Sequence, residues 1–435
     1  MTVSAPPRHT RREREPGRTE REALIEEARR RARRRRVAYG LSILAAAALG
    51  AGIFVGLDQG GGGSAARPVG HGGRNARSSS PGEQARELAR AARGPTFVEA
   101  GLVAPGVGWA ANGLGLYWTT DGGAHWRRIT PPQVASMGDA VARIGDIATI
   151  GTRRIWIAAA DVRGAGTTAL AGSSRHSALE LTNDGGRTWR SVLLPGCDQC
   201  AETWLSPSDA AHGFALTRLR EQGRLYSTAD GGATWKLVGS VPVDGPLVFL
   251  DRRTGWAVGS HAQALFRTVD GGRHWAPVEL PVPARYAGYD VTVGRPRFFG
   301  AGVGVVPVRY RAPNRRQSVV VYSTETAGRH WSAHPAPAAV GPQTWGVPDA
   351  LPFSAASART WVLFPGPRLY ETTNGGRSWV AIRPGYAPKP PGVWDVSFSS
   401  ALAGWAELAV GNGAVLAETT DGGKSWRPFR PPRGY

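Results

Sequence analysis

One phrase recurs seven times in this chain and constrains its fold more than any other feature. In its fullest form it reads Leu416-Ala417-Glu418-Thr419-Thr420-Asp421-Gly422-Gly423-Lys424-Ser425-Trp426. Aligned on the Asp, it returns at Asp121 with Trp126, Asp184 with Trp189, Asp230 with Trp235, and Asp270 with Trp275. Two copies are altered: Asn374 replaces the Asp before Trp379, and the turn before Trp331 reads Thr326-Ala327-Gly328. An apolar residue stands five before the Asp position, a Thr two before it, and the Trp five after. The Trp residues recur roughly every 40 to 63 residues, a period that means stacked repeats rather than one layered core.

Each repeat carries a second element upstream of the phrase. It is Gly108-Trp109-Ala110 in the first repeat, Gly255-Trp256-Ala257 in the fourth and Gly404-Trp405-Ala406 in the last, with Ile155-Trp156-Ile157, Gly213-Phe214-Ala215, Gly302-Val303-Gly304 and Thr360-Trp361-Val362 between. A short apolar segment precedes it, clearest in Leu247-Val248-Phe249-Leu250. Each unit therefore offers four short strands: A before the Gly-Trp-Ala element, B containing it, C ending at the Thr and D starting at the Trp. Four strands per unit at this period predict a propeller blade, and seven units predict an all-β, seven-bladed β-propeller over residues 95–435. The Asp-Gly-Gly falls in the C–D hairpin, where Gly takes positive φ without strain and the Asp and Thr side chains accept backbone N–H bonds. Asp121, Asp184, Asp230, Asp270, Asn374 and Asp421 are thus structural residues, as are the seven Trp, which bury between blades. The turn at Thr326-Ala327, without a carboxylate and with one Gly fewer, is expected to be the loosest.

With those residues in view the phrase resembles the Asp-box, or bacterial neuraminidase, repeat. The fuller pattern is similar to the photosystem II assembly/stability factor family and its relatives in non-photosynthetic bacteria; sortilin-type receptors and sialidases share the box. The resemblance implies a propeller whose boxes lie away from the working face, and, by analogy, a role in assembling or stabilising other proteins.

The chain before residue 95 has a different character. Residues 1–36 hold 13 Arg against 6 Glu, a large share of the formal charge of +20. They lack the apolar residues for a core. Thr19-Glu20-Arg21-Glu22 reads as a capping box opening a charged helix. Residues 37–57 then run without a charge, long enough to span about 30 Å of hydrocarbon as a helix. The basic run before them predicts an uncleaved signal anchor with the N-terminus in the cytoplasm and the propeller outside. The same position makes the Arg run a topology signal and not a nucleic-acid site. Residues 58–94, rich in Gly, Ser and Arg, are expected to be a flexible linker, with a short helix from Gln84 onward.

The sequence argues against catalysis and against cofactors. A sialidase needs an arginine triad, a Tyr activated by a Glu, and an acid Asp. Arg143-Ile144-Gly145 and Arg297-Phe298-Phe299 do not match that family's N-terminal motif, and Tyr286, Tyr289 and Tyr310 have no assignable Glu partner. A paired-carboxylate glycosidase, the alternative function, needs two acids across a cleft. The acids outside the boxes, Asp161, Glu202, Asp209, Asp251 and Asp395, read as scattered surface residues. No metal-ligand spacing is present: Cys197 and Cys200 are the only cysteines and suit a short disulfide outside the cytoplasm.

If the boxes are C–D turns, they share a face with the A–B turns, and the B–C and D–A loops form the other face. That face is expected to carry Arg163, Arg175, Arg218, Arg220, Arg224, Arg309, Arg311, Arg315 and Arg316. Long loops on a rigid scaffold carry function, so the expected activity is non-catalytic binding of a protein or peptide partner, acidic in character.

Overall fold

The computed structural model describes residues 80–92, 97, 99–112, 115–135, 144–160, 177–197, 202–219, 222–259, 262–300, 302–340, 351–365, 367–386, 393–410 and 413–429. Residues 1–79, and with them the expected tail and anchor, lie outside this set. Among the described residues no helix is long and apolar enough to cross a membrane.

The strands assemble into seven antiparallel sheets, each made from consecutive chain. Blade one is β1 (Glu99–Ala104), β2 (Val107–Asn112), β3 (Gly115–Thr119) and β4 (Arg127–Arg128). Blade two is β5 (Ile144–Ile150), β6 (Arg154–Ala160), β7 (Ser177–Thr182) and β8 (Arg190–Leu193). Blade three is β9 (Thr203–Pro207), β10 (Gly213–Leu219), β11 (Gln222–Thr228) and β12 (Lys236–Val241). Blade four is β13 (Val243–Phe249), β14 (Gly255–Gly259), β15 (Ala264–Thr268) and β16 (Ala276–Val278). Blade five has five segments: β17 (Asp290–Val293), β18 (Arg297–Phe299), β19 (Val303–Arg311), β20 (Gln317–Thr324) and β21 (Ser332–Val340). Blade six is β22 (Phe353–Ala355), β23 (Trp361–Leu363), β24 (Leu369–Thr372) and β25 (Val380–Ile382). Blade seven is β26 (Val393–Phe398), β27 (Gly404–Val410), β28 (Gly413–Thr419) and β29 (Arg427–Pro428). The order A-B-C-D expected from the repeats holds in six blades, and in blade five strand A is divided, with β17 and β18 both paired to β19. The all-β, seven-bladed architecture is therefore present.

The A strands of neighbouring blades contact one another, β5 with β9, β9 with β13, β22 with β26 and β26 with β1, so they form the inner wall of the ring. A repeated bond ties one blade to the next along that wall. Ser206 Oγ accepts from Phe249 N at 2.7 Å, Ser354 Oγ from Phe398 N at 2.8 Å, and Asp146 Oδ2 from Leu205 N at 2.8 Å. At the closure Ser397 Oγ of blade seven accepts from Leu102 N of blade one at 2.9 Å. Among the described residues the ring closes by face packing, each blade being built from consecutive strands. Phe97, Ala110 and Tyr117 of blade one form a single buried cluster with Trp405, Leu416 and Phe429 of blade seven.

The expected 58–94 linker lies largely outside the described residues, and its last part is the anticipated helix. This helix, α1 (Pro81–Ala91), opens with a complete capping box of Ser80 and Glu83. It docks on blade seven: Leu88 is fully buried in that blade's core, and Gln84 Oε1 accepts from Trp426 N at 3.3 Å. A four-residue helix, α2 (Pro132–Ala135), follows blade one.

The box turns have the expected chemistry. In blade one Thr119 Oγ1 donates to Asp121 Oδ1 at 2.8 Å and accepts from Gly123 N at 2.9 Å, while Asp121 Oδ1 accepts from His125 N at 2.9 Å. The same set recurs around Asp184, Asp230, Asp270, Asn374 and Asp421. Blade five keeps the turn with a hydroxyl in place of the carboxylate: Thr326 Oγ1 accepts from His330 N at 2.9 Å, and Thr324 Oγ1 from Gly328 N at 3.0 Å. Ala327 sits there at φ 52, a strained position that the blade tolerates because the lost Gly is the first of the pair. The second Gly is the one that packs. A Cβ on Gly328 would lie 2.6 Å from the Trp256 ring of the preceding blade.

Candidate functional site

The two faces of the ring are fixed by one hydrogen bond repeated in every blade. The first turn residue of each box donates to a carbonyl of its own A–B turn: Gly122 N to Gly106 O, Gly185 N to Arg153 O, Gly231 N to Ala211 O, and so on to Gly422 N with Leu402 O. Ala327 N does the same with Gly302 O. Box turns and A–B turns therefore share a face, and the B–C and D–A loops form the other.

On that other face blade five builds a pocket of about 360 Å³. Its walls are Arg285, Tyr286 and Tyr289 from the D–A loop and Asn314, Arg316 and Ser318 from the β19–β20 hairpin. The floor is rigid. Tyr286 stacks on Tyr310 with ring centroids 4.9 Å apart, Tyr310 and Tyr322 share a 2.6 Å hydroxyl bond, and Tyr322 donates to Pro281 O at 3.1 Å. Burial pushes both hydroxyls above the usual tyrosine range. The Arg285 guanidinium lies over the Tyr286 ring at 4.8 Å. Arg315 and Arg316 are exposed, and Arg315 occupies the left-handed turn position at φ 65.

The nine arginines expected on this face divide into groups. Arg163, Arg175 and Arg220 lie outside the described residues. Four others are engaged by the chain itself: Arg218 with Glu202 at 2.9 Å, Arg311 with Asp290 at 2.7 Å, Arg309 with Thr292 Oγ1 at 3.1 Å, and Arg224 with the Gly196 carbonyl. Arg315 and Arg316 remain open, and only Arg316 lines the pocket. The basic face is thus narrowed: acids pair with two of its arginines, and a hydroxyl and a backbone carbonyl hold two more. Arg285, Tyr286 and Tyr289 complete the pocket and carry no motif that marks them; the one sequence signal was the excess length of the fifth repeat. Cys197 is buried and disulfide-bonded, and Cys200 lies outside the described residues.

A second constellation lies at the inner wall. Glu99 opens β1, Asp395 lies on β26, and Glu407 is the cross-strand partner of Asp395 on β27. Asp395 is therefore not a scattered surface acid, contrary to the reading from sequence. Asp146 faces the same channel from blade two and takes an ion pair at 2.9 Å from Arg295 of blade five. Arg295 reaches it from the break between β17 and β18, where Gly294 N bonds Pro307 O and the strand leaves the ladder. Glu99 and Asp395 are exposed to solvent yet ringed by protein, as groups facing a narrow wet channel are. That partial loss of water raises Glu99 to about 7, with Asp395 and Asp146 adding repulsion. It raises Asp395 to about 6, against the pull of Arg295 and a bond from Val396 N. Glu407 is raised well above the carboxylate range by burial and then by Asp395 and Glu99. Among the described residues no group of His, Cys, Asp or Glu is arranged to hold a metal ion.

Fold and faces define a seven-bladed propeller with one pocketed loop face and an acid-lined hub. No family model matches the chain, and no curated protein matches it. Solved structures share its fold. A GH74 xyloglucanase from Xanthomonas campestris superposes with a TM-score of 0.50 at 16% identity, over 77% of this chain and 54% of that one. This chain thus spans about half of the xyloglucanase's length. YCF48 from Cyanidioschyzon merolae gives 0.46 at 15% identity over 75% and 95%, and YCF48 bound to D1 peptide gives 0.41 at 15% over 66% and 80%. At these identities the likeness is one of fold.

Proposed function

We propose that this chain is a non-catalytic recognition propeller, held at the outer side of the cytoplasmic membrane by residues 37–57, that binds an acidic segment of an envelope or membrane protein and serves as a scaffold or assembly factor. The observation that carries this reading is the blade-five pocket. It offers the Arg285 and Arg316 guanidiniums over a rigid tyrosine floor, on the face that the box turns do not occupy. Guanidinium forks suit carboxylates, and Tyr supplies rigid contact area at low entropic cost.

A photo-crosslinking residue at Tyr289 in cells tests the reading. A discrete adduct is expected, lost when Arg285→Glu and Arg316→Glu are combined. An adduct indifferent to those reversals would overturn it. Arg309 and Arg311 are unsuitable probes because reversing them also breaks bonds that hold the loop. The glycosidase alternative would draw on Glu99, Asp395 and Glu407. Among the described residues no arginine triad converges there, and Arg295 is engaged by Asp146. The purified chain is expected to leave aryl sialosides and xyloglucan intact. Hydrolysis abolished by Glu99→Gln would reverse the assignment.

A further inference from the structure

The hub contradicts the electrostatics of the rest of the chain. In a protein of formal charge +20, Glu99, Asp395 and Glu407 converge where blade seven meets blade one. Two further features set them apart from an ordinary acidic patch. Glu407 is only 7% exposed, and its Oε1 has no hydrogen-bond partner, a costly state for a buried polar atom. The chain also shows how this wall is neutralised elsewhere: Arg295 crosses from blade five to place a guanidinium nitrogen 2.9 Å from Asp146. Among the described residues no ion pair of this kind reaches the three acids at the seam. Arg295 pulls on Glu99 and Asp395 at a distance, but its bond is with Asp146.

We propose that the hub at the seam between blades seven and one is a binding site for an organic cation, an ammonium or guanidinium group, held by Glu99, Asp395 and Glu407. A bare metal ion does not suit it, because the described acids are not grouped to form a coordination shell. An N–H cation does, since it bonds through separate donors that carboxylates spaced around a wet channel can accept. Glu99 and Asp395 are open to solvent, so a guest can enter, and Glu407 behind them supplies the unsatisfied acceptor. Glu99, as the first residue of its A strand, stands toward the face that carries the blade-five pocket, but the two sites share no residue. This inference therefore does not depend on the function proposed for that pocket.

The shared chemistry has two natural sources, a free polyamine or a Lys side chain of a bound protein segment. Isothermal titration of the full-length chain in a zwitterionic detergent separates them. Spermidine and an acetylated Gly-Lys-Gly peptide would be titrated at about pH 8, above the values near 7 and 6 to which Glu99 and Asp395 are raised, with Glu407, raised further, giving up its proton as the cation binds. Saturable binding of at least one guest is expected, weakened at least about tenfold by Glu407→Gln and by Glu99→Gln with Asp395→Asn. Arg316→Glu should leave it unchanged. Spermidine alone binding assigns the hub to a small cation, and the peptide alone assigns it to a partner's lysine. Magnesium chloride should not compete. Neutralising acids that repel one another is not expected to unfold the ring, and melting temperature checks this. A second readout needs no variant: a guest that binds the native state raises the wild-type melting temperature. No saturable binding of either guest, affinity indifferent to the substitutions, or displacement by magnesium would each overturn the proposal.

Discussion

At the scale of single residues, the two glycines of each box do different work. Gly122 and Gly123 both sit at positive φ, 72° and 87°, yet a Cβ on Gly122 would meet open space while one on Gly123 would run into the Phe429 ring of blade seven. Gly122→Ala should therefore cost about 1 kcal/mol from backbone strain alone. Gly123→Ala should add about 1–3 kcal/mol of overpacking to that. Urea unfolding of both variants checks the difference, and equal losses would refute the division of labour. The same logic explains why blade five survives with Ala327, whose position corresponds to the open one. Its other departure can be reversed. Thr326→Asp should recover the charged acceptor of the other boxes and stabilise by about 1 kcal/mol, read by the same unfolding assay. The box chemistry was legible from the sequence because the Thr and Asp side chains, at fixed offsets, bond only within their own turn. The packing role of the second Gly was not, because its neighbour belongs to the preceding blade.

At the scale of elements, the strands were legible and their interruptions were not. Apolar alternation around the Gly-Trp-Ala element places strand B, and the box places C and D. The divided strand A of blade five has no such marker. Gly294 N still donates to Pro307 O, in register with the Val293–Val308 pair, but Pro307 and Pro296 have no N–H with which to extend the pairing, and the break presents Arg295 to the channel. The helix α1 was legible as a short helix from Gln84, but its start at Pro81, its Ser80–Glu83 capping box and its docking were not. Leu88 enters the core of blade seven, and Gln84 satisfies the Trp426 N–H that strand D leaves unpaired at its start. Leu88→Ala should destabilise by about 2–4 kcal/mol, the usual loss for a buried Leu. Limited proteolysis should then cut first within residues 80–92. If cleavage instead begins in another blade, the helix does not brace blade seven.

At the scale of the whole molecule, ring closure joins residues hundreds of positions apart and gives the protein two populations of carboxylates with opposite linkage to pH. This is why the hub was invisible in the sequence: Glu99 and Asp395 become neighbours only when blade seven meets blade one. The box acids are held below their ordinary range by bonds within the turn, Asp121 and Asp230 to about 2. Their stabilisation is present above about pH 4 and is lost as pH falls through those depressed values. Glu99, Asp395 and Glu407 are shifted upward, so the native state binds their protons more tightly than the unfolded chain does. Their contribution is present below their unfolded values and is lost as pH rises through about 6 to 7. The melting temperature should therefore be highest in mild acid and decline toward neutrality. His334, held below its ordinary value by burial and then by Arg377, tilts the profile the other way but is common to any hub variant. Combining Glu99→Gln, Asp395→Asn and Glu407→Gln should flatten the decline between about pH 5 and 7 and leave the acid limb, which belongs to the boxes, in place. Scanning calorimetry of the two proteins across that range decides it: a decline that persists undiminished in the triple variant would mean that the seam acids do not set the pH response of the ring.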